Sequence, residues 1–149
     1  MEYAIKIEGL SKKFGDITAV DSITLNIEKG EIFGILGPNG AGKTTLIKML
    51  ATLLPPTSGF AEVWHHDIIK AQDAVRRSIG IVFQDPSIDT ELTGRENLDF
   101  HARMYGLKKE ERGKRINEVL DLVELNERAN TFVKFYSGGM QRRLEIARG

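Results

Sequence analysis

The chain contains no cysteine among its 149 residues, so a disulfide framework and a thiolate metal site are both excluded. No apolar run approaches the roughly 18 residues that a membrane-spanning helix needs. Lys+Arg and Asp+Glu both number 21, so there is no net charge to attract nucleic acid, and we expect none as a partner. The hydrophobic content of 41% and charged content of 28% are typical of one globular domain.

Several short segments have the hydrophobic pattern of β-strands. Residues 3–8 and 23–28 alternate apolar and polar side chains, which predicts half-exposed antiparallel strands. Residues 32–36 form a continuous apolar run and predict a buried strand of a parallel sheet. Residues 60–64 and 79–83 are expected to form further strands.

Helical patterns lie between and after these strands. Residues 44–54 and 71–77 predict helices inside the strand-rich half of the chain. Residues 93–105 begin with the spacing of a capping box, and residues 109–125 place apolar side chains on one helical face. Ser137 is expected to cap a last helix that runs through Leu144 and Ile146.

A glycine-rich loop follows the predicted strand at residues 32–36 and opens the next predicted helix. It matches G-x-x-x-x-G-K-[ST], with Lys43 and Thr44 as its last two residues. Backbone N–H groups at a helix N-terminus bind anions, Lys43 neutralises phosphate charge, and the Thr44 hydroxyl can ligate Mg²⁺. A glycine-rich turn with an incidental lysine is the simpler alternative, but the strand–loop–helix context favours a nucleotide site. Kinases, GTPases, motors and transporters all use such loops.

Three motifs together resemble the ATPase subunits of ATP-binding cassette (ABC) transporters. They are GPNGAGKTT at residues 37–45, FQD at residues 83–85 and YSGGMQRR at residues 136–143, the last a variant of the family signature. The resemblance implies an α/β fold, the P-loop NTPase fold of ABC ATPase type, with N-terminal antiparallel strands and an inserted helical subdomain.

The resemblance extends over residues 1–149 and implies a partial ABC ATPase domain. Residues 1–84 would be its nucleotide-binding core, and residues 85–149 its helical subdomain and signature helix. The implied ligands are ATP and Mg²⁺. The loop residues expected to contact them are Gly37, Pro38, Asn39, Gly40, Ala41, Gly42, Lys43, Thr44 and Thr45.

The resemblance assigns further roles to residues outside the loop. Phe14 matches the aromatic side chain that stacks on adenine, although from the residues alone it would be expected in the core. Gln84 matches the catalytic glutamine, which reaches Mg²⁺ or the attacking water. Ser137, Gly138 and Gly139 match the signature that contacts the γ-phosphate of nucleotide held by a second ABC ATPase subunit. A head-to-tail dimer of two such subunits is therefore implied.

Residues 89–98, together with Tyr136 in place of the usual leucine, are similar to the daunorubicin-resistance type of drug exporter. This likeness implies a subunit that couples ATP binding and hydrolysis to substrate export. It also implies a membrane permease as a partner. The expected location is cytoplasmic, peripheral at the cytoplasmic face of the membrane.

The family's Walker B half, a strand ending in Asp-Glu, and its switch histidine follow the signature, and residues 1–149 contain neither. His65, His66 and His101 all precede the signature and are expected to be surface or loop residues. We therefore expect the chain alone to bind ATP without efficient hydrolysis. Residues 32–36 would also lack a strand neighbour, which predicts marginal stability.

Two alternatives remain open from the sequence. The chain could be a non-catalytic nucleotide-binding remnant that pairs with a complete cassette. It could also be a soluble, non-transport ABC protein, although such proteins usually carry two cassettes or large insertions.

Overall fold

The computed structural model describes residues 2–82 and 87–149. The chain divides into two compact units. We call Met1–Gly80 the sheet unit and Ile81–Gly149 the helical unit. Each has its own cluster of buried apolar side chains.

The sheet unit contains a 4-stranded sheet with the strand order β2-β1-β3-β4. Every strand pairing of the described residues is antiparallel, and the β1–β2 pairing begins with Tyr3 opposite Glu28 and ends with Phe14 opposite Ile17. The elements in chain order are β1 (Tyr3–Phe14), β2 (Ile17–Glu28), α1 (Lys43–Leu50), β3 (Ser58–Val63), β4 (His66–Asp67) and α2 (Gln72–Ser78).

The apolar alternation of the hairpin decides which sheet face meets the helices. Ile23, Leu25 and Ile27 are half-buried, whereas the residues between them are exposed, as the alternation predicts. The core below this face is fully apolar, and burial of each large side chain contributes about 1.5–3 kcal/mol. It comprises Ile7, Leu10, Val20, Leu46, Met49, Ala61, Val63, Ile68 and Val75.

Residues 32–36 do not form the buried strand that their apolar run predicts. The structure has no strand there, and Ile32 and Leu36 are 101% and 95% exposed. Residues 79–82 are likewise not in a strand, and Phe83 lies outside the described residues. A parallel strand forms only when neighbouring segments accept and donate its backbone hydrogen bonds. Within the described ranges, no strand pairs with these residues.

The helical unit packs its helices around a second apolar cluster. Its helices are α3 (Gly94–Met104), α4 (Lys109–Leu122) and α5 (Gly138–Arg148), with 3-10 turns at Asn126–Arg128 and Val133–Phe135. In the parts of the chain that the structure describes, no helix combines the length and apolarity needed to cross a bilayer. The core residues are Leu98, Ile116, Leu120, Val123, Leu125, Ala129, Val133, Tyr136 and Leu144.

The capping box predicted at the start of α3 is present. The Glu96 backbone N–H donates to the Thr93 hydroxyl at 3.2 Å, and the Thr93 backbone N–H donates to Glu96 Oε2 at 2.8 Å. These bonds satisfy donors that a helix N-terminus leaves unpaired. The bond from the Thr93 N–H, with that from its hydroxyl, holds the pKa of Glu96 below its ordinary value.

Gly94 and Tyr136 meet in the interior of the helical unit. The Tyr136 hydroxyl donates to the Arg128 carbonyl oxygen at 2.7 Å, and a Cβ built on Gly94 would overlap that hydroxyl. We expect Gly94→Ala to lower the free energy of unfolding by roughly 1–3 kcal/mol because the site is already filled. The double variant Gly94→Ala/Tyr136→Phe should lose less than the sum of the two single losses. Urea unfolding of all four proteins tests this, and simple additivity would contradict the packing described.

Candidate phosphate site and signature

The phosphate loop is built around the first residue of α1. Lys43 Nζ donates to the carbonyl oxygens of Gly37 and Pro38, both at 2.7 Å, which holds the ammonium inside the curve of the loop. The Ala41 N–H donates to the Pro38 oxygen at 3.3 Å and closes the turn. Thr44 follows on the helix and is exposed, so its hydroxyl is open to solvent.

Gly42 fixes the angle at which the loop enters the helix. It is the N-cap of α1 with φ 83° and ψ 1°, a left-handed conformation that side chains disfavour. A Cβ at this position would overlap the carbonyl oxygen of Ala19, at the start of β2. The helix N-terminus is therefore anchored against the hairpin, while residues 37–41 remain exposed. The first-turn N–H groups of α1 carry the positive end of the helix dipole.

Phe14 lies at the end of β1, where it pairs with Ile17 shortly before Ala19. Its side chain is 48% exposed, so it is not part of the core that the residues alone would suggest. Lys12 Nζ lies 5.2 Å from the centroid of the ring. The ring therefore lies at the turn end of the hairpin, with a cation beside it and part of its surface exposed.

The signature residues form the start of α5 in the helical unit. The Ser137 hydroxyl accepts a hydrogen bond from the Met140 N–H at 3.2 Å and caps the helix, as the sequence predicts. Gly138 and Gly139 are exposed. A Cβ on Gly138 would meet nothing within 4 Å, and one on Gly139 would only reach the Ser137 hydroxyl at 4.0 Å. Packing within the unit therefore does not require glycine at either position, and this helix N-terminus is open to an external group.

The remaining residues singled out from the sequence are Gln84 and the three histidines. Gln84 lies outside the described residues. His65 is exposed in a turn, as expected, whereas His66 is half-buried in β4 and is neither exposed nor in a loop. His101 is half-buried on α3. The phosphate loop and Phe14 belong to the sheet unit, whereas the signature belongs to the helical unit.

The polar contacts that α5 makes with the chain at Ser87 are not predicted from the sequence. Glu145 is 2% exposed, whereas Ile146, its apolar neighbour, is 53% exposed. Glu145 accepts from the Ser87 N–H at 2.8 Å, and Arg148 donates to the Ser87 carbonyl oxygen at 2.7 Å. The only signal in the sequence was a Glu and an Arg three positions apart, and the same spacing is common on solvated helix faces.

His101 is the group through which we expect the helical unit to respond to pH. Burial, and then the nearby Arg148 guanidinium, lower the pKa of His101 from its ordinary 6.5. Arg148 Nη1 lies 3.3 Å from His101 Nε2, and this nitrogen accepts a hydrogen bond only when the ring is neutral. The folded state therefore binds fewer protons than the unfolded state, so stability rises with pH in this range.

We expect the helical unit to lose stability as the pH falls from about 7 to about 5, because His101 protonates readily only after unfolding. His101→Gln should lose less over the same interval, since its amide does not titrate. Thermal unfolding at matched ionic strength measures both. Below about pH 4.5 other carboxylates also begin to protonate, so the comparison belongs above that value. An identical pH profile for the two proteins would contradict this assignment.

These features define a class of protein. A glycine-rich loop, a lysine held at its centre and a helix N-terminus anchored on a sheet form a phosphate cradle. The exposed Thr44 hydroxyl beside Lys43 provides an oxygen ligand of the kind that Mg²⁺ prefers. The fold and the loop together define a phosphate-loop nucleotide-binding protein of the α/β class.

Comparisons with known proteins identify the family. The family described as ABC transporter matches residues 20–149. The daunorubicin resistance ATP-binding protein DrrA3 of Streptomyces coeruleorubidus is 42% identical over 144 residues, which cover 97% of this chain and 46% of the relative. The daunorubicin/doxorubicin resistance ATP-binding protein DrrA of Streptomyces peucetius is 46% identical over 144 residues, with coverages of 97% and 44%. The chain belongs to the ABC transporter family.

A solved structure supports the same fold. The structure of cbiO1 from Clostridium perfringens, part of the ABC transporter complex cbiONQ, superposes with a TM-score of 0.89 at 31% identity. The superposition covers 99% of this chain and 61% of that chain. The fold is therefore that of an ABC ATPase domain, with antiparallel strands near the N-terminus followed by helices. The chain spans about half the length of the curated relatives it matches.

Proposed function

We propose that this chain is part of the ATP-binding subunit of an ABC exporter, in which ATP binding and hydrolysis drive substrate export. The observation that carries the proposal is the phosphate loop, with Lys43 Nζ held 2.7 Å from two loop carbonyl oxygens at the N-terminus of α1. The resistance proteins among its relatives support export as the process. We place the subunit at the cytoplasmic face of the membrane, bound to a permease.

Residues of the predicted nucleotide-binding core, 1–84, would bind and orient one ATP. Lys43 and the loop N–H groups hold the phosphates, since both supply positive charge in a fixed geometry. Phe14 offers an exposed ring for the adenine to stack on. Thr44 and Gln84 would hold Mg²⁺, which neutralises phosphate charge when bound. Within residues 1–149 we assign no general base, and the chain by itself is expected to bind ATP without efficient hydrolysis.

The signature would complete the site of a second subunit. The hydroxyl of Ser137 and the uncovered N–H groups of Gly138 and Gly139 form an open anion-binding helix start. We assign it to the γ-phosphate of ATP that the opposite subunit holds in a head-to-tail dimer. Closure of that dimer would move the permease, and hydrolysis would reset it.

The assignment of the signature is tested by Gly139→Asp in the complete subunit. A carboxylate in the first turn stabilises the helix but repels a γ-phosphate, so structural and functional effects have opposite signs. We expect unchanged ATP affinity for the monomer and loss of ATP-dependent dimerisation, measured by sedimentation. Gly113→Asp is the matched control, because Gly113 is also an exposed helical glycine with no atom near its Cβ position. Normal dimerisation of Gly139→Asp would refute the assignment.

A further inference from the structure

A buried carboxylate on α5 binds the backbone just beyond the predicted catalytic glutamine. Glu145 is 2% exposed, although it is charged and lies on the signature helix. Its Oε1 accepts the Ser87 N–H at 2.8 Å, and its Oε2 accepts Arg142 Nη1 at 3.2 Å. Both carboxylate oxygens are therefore engaged. Removing the carboxylate would leave the Ser87 N–H without this acceptor and Arg142 Nη1 without this partner.

Arg148 binds the same residue from the next turn of α5. Its Nη1 donates to the Ser87 carbonyl oxygen at 2.7 Å, and its Nη2 donates to the Ser87 hydroxyl. The N–H, the carbonyl oxygen and the hydroxyl of Ser87 are all bound by side chains of one helix. We call Glu145, Arg148 and Ser87 the Ser87 clamp.

The chain beyond the clamp is held independently. Asn97 is 3% exposed, its Oδ1 accepts the Asp89 N–H at 2.8 Å, and its Nδ2 donates to the Asp89 carbonyl oxygen at 2.9 Å. Asp89 is thus fixed to α3, the helix that carries Asn97. The Asn97 bonds already attach this segment to the helical unit through α3. The clamp adds a separate attachment, of Ser87 to α5.

The two ends of the clamp lead to two predicted parts of the ATP site. α5 starts at the signature, and Ser137 lies roughly 12 Å along the helix axis from Glu145. Ser87 follows Gln84 in the chain with only residues 85–86 between them. Because a helix moves as a rigid element, displacement of its N-terminus displaces the side chains that hold Ser87.

We propose that Glu145 and Arg148 are positioning residues that join the signature helix to the chain following Gln84. Contact of the signature with a γ-phosphate then fixes the position of Ser87 in the same step. This inference rests on the proposed function, since it needs the signature to contact nucleotide. It assigns to α5 a second role besides presenting Ser137, Gly138 and Gly139.

The test uses the complete subunit with its permease, with steady-state ATP hydrolysis and hydrogen exchange at the Ser87 amide as readouts. Arg148→Lys keeps the positive charge but cannot bind the carbonyl oxygen and the hydroxyl in the same bidentate way. We expect kcat to fall about tenfold with KM within about twofold, because Arg148 positions Ser87 and does not itself bind ATP. ATP should slow exchange at Ser87 in the wild type and have no such effect in this variant.

Variants of Glu145 separate positioning from folding. Glu145→Gln retains an acceptor oxygen for the Ser87 N–H but loses the second acceptor, which binds Arg142, so kcat and ATP-dependent exchange should fall less than in Glu145→Leu. Glu145→Leu fills the buried space without an acceptor and should behave like Arg148→Lys. Arg143→Ala is the matched control, since Arg143 lies on the same helix but donates to the Val123 carbonyl oxygen at 3.1 Å.

The outcomes distinguish the clamp from the proposed function itself. Failure of the wild-type subunit to bind ATP would remove the proposed function. Normal binding and hydrolysis, together with wild-type kcat and exchange in Arg148→Lys, would overturn only the clamp. An equal fall in kcat for Arg143→Ala would also overturn it, because the effect would then belong to the helix in general.

Discussion

Replacing Lys43 by alanine is expected to lower the affinity for Mg-ATP by roughly 10- to 100-fold. A hydrogen bond to a charged group contributes about 1.5–3 kcal/mol, and 1.4 kcal/mol corresponds to a tenfold change in affinity. Lys43 Nζ is already held at the centre of the loop by the Gly37 and Pro38 carbonyl oxygens. It therefore needs little rearrangement to meet a phosphate.

Titration with a fluorescent ATP analogue measures the loss, with circular dichroism to verify the fold. Lys48→Ala is the matched control, because Lys48 lies in the last turn of the same helix and is exposed. Its removal should leave the affinity within about twofold, since an exposed charge at the other end of the helix is screened by solvent and salt. Equal affinities for Lys43→Ala and the wild type would refute the phosphate assignment.

The second large effect is expected from Gly42→Ala. Gly42 has φ 83°, and a side chain in that conformation costs about 1–3 kcal/mol. The added Cβ would also overlap the Ala19 carbonyl oxygen, so α1 must shift away from the hairpin. We expect both a lower free energy of unfolding for the sheet unit and weaker ATP binding.

Gly40→Ala separates the two causes. Gly40 has φ 84°, but a Cβ there would meet nothing within 4 Å, so this variant has only the conformational cost. Urea unfolding should show a larger loss for Gly42→Ala than for Gly40→Ala. Equal losses would mean that contact with Ala19 does not fix the helix.

Local signals in the sequence predicted much of the fold. The spacing of Thr93 and Glu96 predicted a capping box, and both of its hydrogen bonds are present. Ser137 was predicted to cap α5 and does so. These predictions succeed because a cap depends on residues that lie close together in the chain. The alternation at residues 23–28 likewise predicted which side chains face the core.

Residues 32–36 show where local signals fail. Their apolar run is typical of a buried parallel strand, but the hydrogen bonds of such a strand come from distant segments. The run carries no information about whether those segments are available. In the structure Ile32 and Leu36 are exposed, and no described strand pairs with the run.

The signature helix shows a second limit of prediction from sequence. From side-chain polarity alone, Ile146 would be expected to be buried and Glu145 exposed, whereas the structure has the opposite arrangement. Ser87 is the reason, because its N–H lies at the position that a carboxylate on α5 can reach. A contact between residues 58 positions apart leaves no pattern in one sequence. The phosphate loop, by contrast, was predictable because its spacing alone determines the cradle.

The roles assigned to the phosphate loop and the signature are tested most directly by Mg-ATP binding and turnover of this chain, measured beside a version extended through an apolar strand ending in Asp-Glu. Calorimetry gives the binding, and phosphate release gives the turnover. We expect both proteins to bind ATP and only the extended version to hydrolyse it efficiently. Absence of binding, or efficient turnover by the 149-residue chain alone, would contradict the roles assigned to its residues.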